Sequence, residues 1–320
     1  MTLNAPHGSL PALVTPFTPQ GEVHDDDLAR LIDRAIDDGA SGVLVAGSTG
    51  EGALLEPEQR VRVTRVARTV IDALAAAGGG ADPAASPSAK VGGDAATRPL
   101  LLAGASGSSV RALEADVARL ADAGADLVLV LAPSTYPLDA EELVALHLGV
   151  AERAPVGTLV YHIPQLTGSA LTAESLRPLA AHPRIVGMKD SSPDADRRSR
   201  VREVVRSLEG FELLNGDAPS LRAALAEGAS GSITAIANVR QRQVAALHSA
   251  VAEQDHDGAE RLQQALGATW AKLVGVGSSL PATLKAALQL EGVIAERWCA
   301  PPLRSVGPNR LDHVRTALLR

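Results

Sequence analysis

Short aliphatic runs alternate along this chain with longer stretches whose apolar positions recur at helical spacing. The runs cover residues 10–17, 42–47, 100–105, 127–133, 157–163, 185–189, 211–215 and 232–237. They are continuously apolar, as parallel strands covered by helices on their outer face should be. Between them, Leu28, Leu31, Ile32, Ala35 and Ile36 fall on one helix face. Val63, Val66, Val70 and Leu74 share another, and Val110, Leu113, Val117 and Leu120 a third. Three similar joints, Gly39-Ala40-Ser41-Gly42, Gly124-Ala125-Asp126 and Gly228-Ala229-Ser230-Gly231, each follow a helix pattern and precede a strand. Glycine just past a helix end stops the helix in the left-handed conformation, and a short link feeds the next strand. Eight such units predict an α/β fold, a (β/α)8 TIM barrel with a helical C-terminal extension. A doubly wound open sheet is the alternative.

Two segments break the alternation. Residues 78–98 read GGGADPAASPSAKVGGDAATR, with nothing to bury, and are expected to be a flexible insertion after the second helix. Beyond about residue 240 the strand pattern stops and residues 241–295 read as helices, with Pro281 placed to start one of them. The expected division is a barrel over residues 1–240 carrying the site and a helical region over 241–320.

Composition narrows the function. The 320 residues are 46% hydrophobic but only 2% aromatic, which predicts an aliphatic core. A formal charge of −7, with no basic stripe and interleaved aromatics, argues against nucleic acid as a partner. Cys299 is the single cysteine, so a disulfide framework or cysteine zinc site within the chain is excluded. No apolar run is long enough to span a bilayer, and the first residues lack the basic-then-apolar order of a signal peptide. A soluble cytoplasmic protein without a membrane partner is the expectation.

The candidate chemistry starts at Lys189, which ends the apolar run 185–189. The chain has four lysines, Lys90, Lys189, Lys272 and Lys285, against many arginines. Arginine serves as surface charge equally well, but only lysine can lose its proton in an apolar pocket and attack a carbonyl. Lys189 is therefore a candidate Schiff-base nucleophile; the alternative is a strand-edge lysine paired with Asp190. In a barrel the site lies at the C-terminal ends of the strands. Both tyrosines of the chain, Tyr136 and Tyr161, fall at such ends, and a phenol beside a lysine imine can shuttle protons. Gly47-Ser48-Thr49-Gly50-Glu51 flanks two hydroxyls with glycines, and such a loop lets backbone N–H groups approach a carboxylate. Glu51 is expected to support that loop. Ser108 is the expected N-cap of the helix after it. The eight histidines lack HxxxH or HExxH spacing, so no metal site is expected. His162, next to Tyr161, should face the opposite side of its strand in a supporting role.

Taken together, Leu13-Val14-Thr15-Pro16-Phe17, the loop 47–51, Tyr161-His162-Ile163-Pro164 with Thr167-Gly168, Gly187-Met188-Lys189-Asp190, and Gly216-Asp217 followed by Ile233 and Ala237-Asn238-Val239 resemble the dihydrodipicolinate synthase / N-acetylneuraminate lyase family. These are pyruvate-dependent class I aldolases. The resemblance implies catalytic roles for Lys189 as imine-forming lysine, Tyr161 as proton carrier and the hydroxyl of Ser48. Ser48 and Thr49 are implied to hold the pyruvate carboxylate, with Ile233, Gly216, Leu166 and Tyr136 as further substrate contacts. No cofactor is implied beyond the covalent imine on Lys189; the partners are pyruvate and an aldehyde, in a homotetramer or homodimer.

The departures bear on the acceptor. In the synthase branch an arginine two residues after the strand-five proline grips the second carboxylate of aspartate semialdehyde, and that position is Leu166. The branch's second tyrosine aligns with Thr135, beside Tyr136. Tyr-His-Ile-Pro and Leu-Thr-Gly look more like the lyase branch, which carries an acidic residue where this chain has Ala218. The expectation is an aldolase or lyase joining or cleaving pyruvate and an aldehyde. The alternatives are a dihydrodipicolinate synthase with an altered acceptor clamp and a non-catalytic oxo-acid-binding barrel.

Overall fold

The computed structural model describes residues 5–78 and 98–319. Eight strands form one parallel sheet: β1 (Gly8–Pro11), β2 (Gly42–Val45), β3 (Leu100–Ala105), β4 (Leu127–Leu131), β5 (Gly157–His162), β6 (Ile185–Asp190), β7 (Glu212–Asn215) and β8 (Gly231–Thr234). The order is β1-β8-β7-β6-β5-β4-β3-β2, every pairing parallel. An Ala12–Leu44 bridge and the Leu13 N–H to Leu44 carbonyl bond (2.9 Å) bring β1 back to β2. All eight expected strands are present and make a TIM barrel.

The helices follow the strands: α1 (Asp25–Asp37), α2 (Pro57–Gly78), α3 (Val110–Asp122), α4 (Ala140–Arg153), α5 (Pro164–Thr167), α6 (Leu176–Ala180), α7 (Ala195–Val205), α8 (Leu221–Ala226) and α9 (Ala237–Ala252). The chain continues through α10 (His256–Val274), α11 (Leu280–Leu290) and α12 (Leu311–Leu318). α9 crosses residue 240, with a local break at Arg240 (φ −140°, ψ 32°). The insertion expected at 78–98 lies, but for its ends, outside the described residues. No helix among the described residues is long and apolar enough to cross a membrane.

The strands divide two apolar layers. Leu10, Leu44, Leu102, Leu129, Leu159, Leu214 and Ile233 fill the lumen, while Val43, Leu101, Val128 and Val130 face the helices. Gly39, Gly124 and Gly228 all adopt positive φ (90°, 101° and 99°), as the repeated joint requires.

Three local details differ from the expectation. The run 10–17 leaves the sheet after Ala12, where Asn238 takes over: its Oδ1 accepts from Val14 N–H (3.0 Å) and its Nδ2 donates to the Ala12 carbonyl (2.7 Å). The α3 N-cap is Ser109, whose Oγ accepts from Ala112 N–H (3.2 Å), in place of Ser108. β6 carries a bulge: consecutive Thr158 and Leu159 of β5 pair with Ile185 and Gly187, leaving Val186 as an extra residue. Ile185 faces the helices, so simple alternation would turn Lys189 outward too. The inserted residue turns it into the lumen.

Candidate active site

Lys189 and Tyr161 are paired across β6 and β5 at the C-terminal end of the barrel. Both are buried, and Lys189 Nζ lies 4.2 Å from the centre of the Tyr161 ring. Tyr161 Oη is 2.9 Å from Ser48 Oγ, which joins the loop after β2 to the lysine–tyrosine pair. Ser191, two residues beyond Lys189, shares with it the space over Gly216, and its hydroxyl helps to lower the phenol. Burial pushes the Tyr161 phenol up, but the Lys189 charge and the bonds to Ser48, Lys189 and Ser191 outweigh it. The phenol is left below its ordinary value.

The loop is held in an unusual turn. Ala46 and Glu51 adopt left-handed backbone (φ 52° and 60°), which non-glycine residues keep only when their surroundings demand it. The Ala46 carbonyl sits in a space bounded by Gly52 and Gly104, where an added Cβ would come within 1.8 and 2.4 Å of its oxygen. From the β1 side Thr15 Oγ1 donates to the Gly50 carbonyl (2.7 Å). Among the described residues none accepts a hydrogen bond from the backbone N–H of Ser48 or Thr49, so two amides are available where a carboxylate oxygen would sit.

Behind the strands lies a second polar group. His162 faces away from the lumen and its Nδ1 meets Asp190 Oδ1 at 2.9 Å, as strand alternation predicted. Asp190 also pairs with Arg197 and accepts from Ser192 N–H (3.0 Å). Burial raises the Asp190 carboxyl, but the His162 bond, the Arg197 charge and the Ser192 amide together hold it below the ordinary carboxylate range. Asp190 is thus committed outside the barrel, and Lys189 is not its partner.

Of the residues singled out in the sequence, Lys189, Tyr161 and Ser48 come together, with Thr49 buried beside them in the loop. Gly216 touches the lysine, and Ile233 is fully buried in the same lumenal cluster as Tyr161. Tyr136, in the loop after β4, is 76% exposed, and Leu166, on α5, is 56% exposed. Their segments lie against each other, with Leu138 N–H donating to Ser169 Oγ at 2.7 Å. Sequence reading passed over Ser191, whose signal was its two-residue offset from Lys189. It also passed over Lys285, a lysine within the apolar stretch of α11. Lys285 pairs with Glu51, which is the support expected of Glu51 for its loop.

A parallel barrel with a buried lysine, an adjoining phenol and a hydroxyl-bearing turn defines an enzyme of the aldolase/lyase class. The chain belongs to the dihydrodipicolinate synthetase family, whose model matches residues 5–90 and 94–319. It is 32% identical over 260 residues to a 4-hydroxy-tetrahydrodipicolinate synthase of Hyphomonas neptunium, covering 81% of this chain and 80% of that one. A DapA-like lyase of Halobacterium salinarum is 32% identical over 312 residues, covering 98% and 91%. Among solved structures, dihydrodipicolinate synthase from Aquifex aeolicus superposes with a TM-score of 0.82 at 28% identity, covering 98% and 97%. YagE from E. coli K12, in complex with pyruvate, gives 0.85 at 24% identity, also covering 98% and 97%, a likeness of fold.

Proposed function

We propose that this protein is a class I aldolase or lyase that makes or breaks a carbon–carbon bond between pyruvate and an aldehyde through an imine on Lys189. The observation that carries the reading is the buried Lys189 amine against the Tyr161 ring, with Ser48 Oγ on the phenol. The amine adds to the C2 carbonyl of pyruvate and water leaves. The amides of Ser48 and Thr49 hold the carboxylate. The iminium draws electrons from C3, whose proton is lost, and the resulting enamine attacks the aldehyde carbon. Tyr161, hydrogen-bonded to Ser48, moves protons to and from the nitrogen and oxygen atoms that change charge. No external cofactor enters this scheme. The family resemblance implies a homodimer or homotetramer and roles for Ile233 and Gly216 in lining the pyruvate site, and the sequence leads us to expect a cytoplasmic protein.

The acceptor is an aldehyde without a second carboxylate. Leu166 stands where the synthase branch places its arginine, and leucine offers neither charge nor paired donors. Borohydride reduction in the presence of pyruvate, followed by peptide mapping, tests the chemistry. The expected result is one pyruvyl adduct, on the peptide carrying Lys189, that is absent from Lys189→Arg. An adduct on another lysine, or none, would overturn the reading.

A further inference from the structure

A second lysine is sealed inside the molecule on the catalytic face. Lys285 and the Glu51 side chain are both 0% exposed and form an ion pair. Lys285 Nζ also donates to the Trp298 carbonyl (2.7 Å) and lies 4.1 Å from the centre of the Phe17 ring. The other carboxylate oxygen, Glu51 Oε2, accepts from Ala300 N–H at 2.6 Å. Burial pushes each partner toward its neutral form and the opposite charge resists this, raising Glu51 and lowering Lys285 less than isolation would. The neighbouring Cys299 thiol is pushed up to about 11 by burial, so it adds no third charge at neutral pH.

A buried ion pair is a poor way to gain stability, because desolvation offsets the attraction; in some proteins such a pair specifies one arrangement instead. Here the arrangement concerns the catalytic loop. Glu51 is left-handed, and its own N–H closes the turn on the Ser48 carbonyl (3.2 Å). Its side chain leaves the loop in the direction of α11 and the 298–300 segment. The backbone of Glu51 is therefore shared between the turn presenting Ser48 and an anchor lying more than two hundred residues later in the chain.

We propose that Lys285 is a positioning residue: through Glu51 it holds the 47–51 turn in the form that presents the Ser48 hydroxyl and the Ser48 and Thr49 amides to the pyruvate carboxylate. The C-terminal segment is by this route part of the substrate site, although it touches no reacting atom. The claim rests on the pyruvate-imine reading, and the test separates the two.

Lys285→Met, Glu51→Gln and the double variant are compared with the full-length wild type by two measurements. Hydrogen exchange of the peptide spanning residues 46–54 needs no substrate. It should be about tenfold faster in Lys285→Met, with the β3 peptide unchanged. Borohydride trapping should need about tenfold or more pyruvate for half-saturation, while the saturated rate falls by less than about threefold. The double variant leaves no uncompensated buried charge. It should fold even if Lys285→Met does not, and its loss should be smaller than the product of the single losses. Unchanged loop exchange and pyruvate dependence in folded variants, or single losses that simply multiply, would overturn the clamp. Absence of any pyruvate adduct on wild-type Lys189 overturns the aldolase reading instead, and loop exchange then decides the clamp alone.

Discussion

Gly216 leaves Lys189 the space its side chain occupies. A Cβ at 216 would lie 2.9 Å from Lys189 Cε and 2.0 Å from Ser191 Oγ, so any other residue must displace one or both. The Gly216 N–H also bonds the Asp190 carbonyl at 2.7 Å, which keeps its backbone against β6. Gly216→Ala should therefore slow imine trapping at saturating pyruvate by about ten- to a hundredfold, because small misplacements of a nucleophile are expensive. Thermal unfolding should change little by comparison. An unaltered trapping rate would show that the lysine is aimed by something else.

The phenol makes a pH argument. Tyr161 stands below its ordinary value because Lys189 and its hydrogen bonds outweigh burial. If turnover needs the protonated phenol, activity falls on the alkaline side as pH rises through that lowered value. Ser48→Ala removes one of the bonds that lowers it, so the alkaline limb should move to higher pH even as the rate drops. Tyr161→Phe should abolish that limb and cost about 10²- to 10⁴-fold in kcat. A pH–rate profile of the three proteins checks both statements; a limb that stays in place in Ser48→Ala removes Tyr161 from the titration.

The barrel was legible in the chain because burial on both faces leaves unbroken aliphatic runs, and because Gly39, Gly124 and Gly228 mark the helix ends. Lys189 was legible by its rarity and its place at a strand end. The direction of its side chain was not. That depends on Val186 being the extra residue of a bulge, a property of how β5 and β6 pair and not of either sequence alone. Strand β1 is shorter than its apolar run for a similar reason: Asn238, in a distant helix, satisfies the backbone that leaves the sheet. Lys285 carried no signal in the sequence, because its partner Glu51 is remote along the chain and Trp298 and Ala300 contribute only main-chain atoms.

Two buried histidines contribute to the response to acid. Burial lowers His147, with His162 adding to the effect, and burial lowers His248; both stand at about 4 against 6.5. Between those values the unfolded chain binds their protons and the folded chain does not. Stability is thus complete above about pH 6.5 and falls as the pH drops toward 4, by about 3 kcal/mol for each histidine. His248 Nε2 bonds Ser232 Oγ at 2.8 Å, a contact a glutamine amide can replace. His248→Gln should remove about half of this pair's acid destabilisation while leaving stability at neutral pH within about 1 kcal/mol. Urea unfolding at several pH values measures it, and an unchanged slope would mean that other groups carry the effect.

Leu166 is the position on which the proposed acceptor depends, because the family resemblance places an arginine there in the synthase branch. It follows directly on the strand bearing Tyr161, with only Ile163, Pro164 and Gln165 between it and His162, and it is 56% exposed. Because Leu166 is more than half exposed, folding stability in Leu166→Arg should shift by no more than about 0.5 kcal/mol. The introduced guanidinium would give a second carboxylate the paired charged donors that leucine lacks. Leu166→Arg should leave pyruvate trapping at Lys189 untouched, since in the proposed scheme that step uses the lysine, the phenol and the loop 47–51. Condensation with aspartate semialdehyde should rise by about ten- to a hundredfold, the range expected for a hydrogen bond to a charged group. If the variant and the wild type condense aspartate semialdehyde equally, the acceptor is selected elsewhere. The exposed Tyr136, on the loop packed against this segment, is then the next residue to vary.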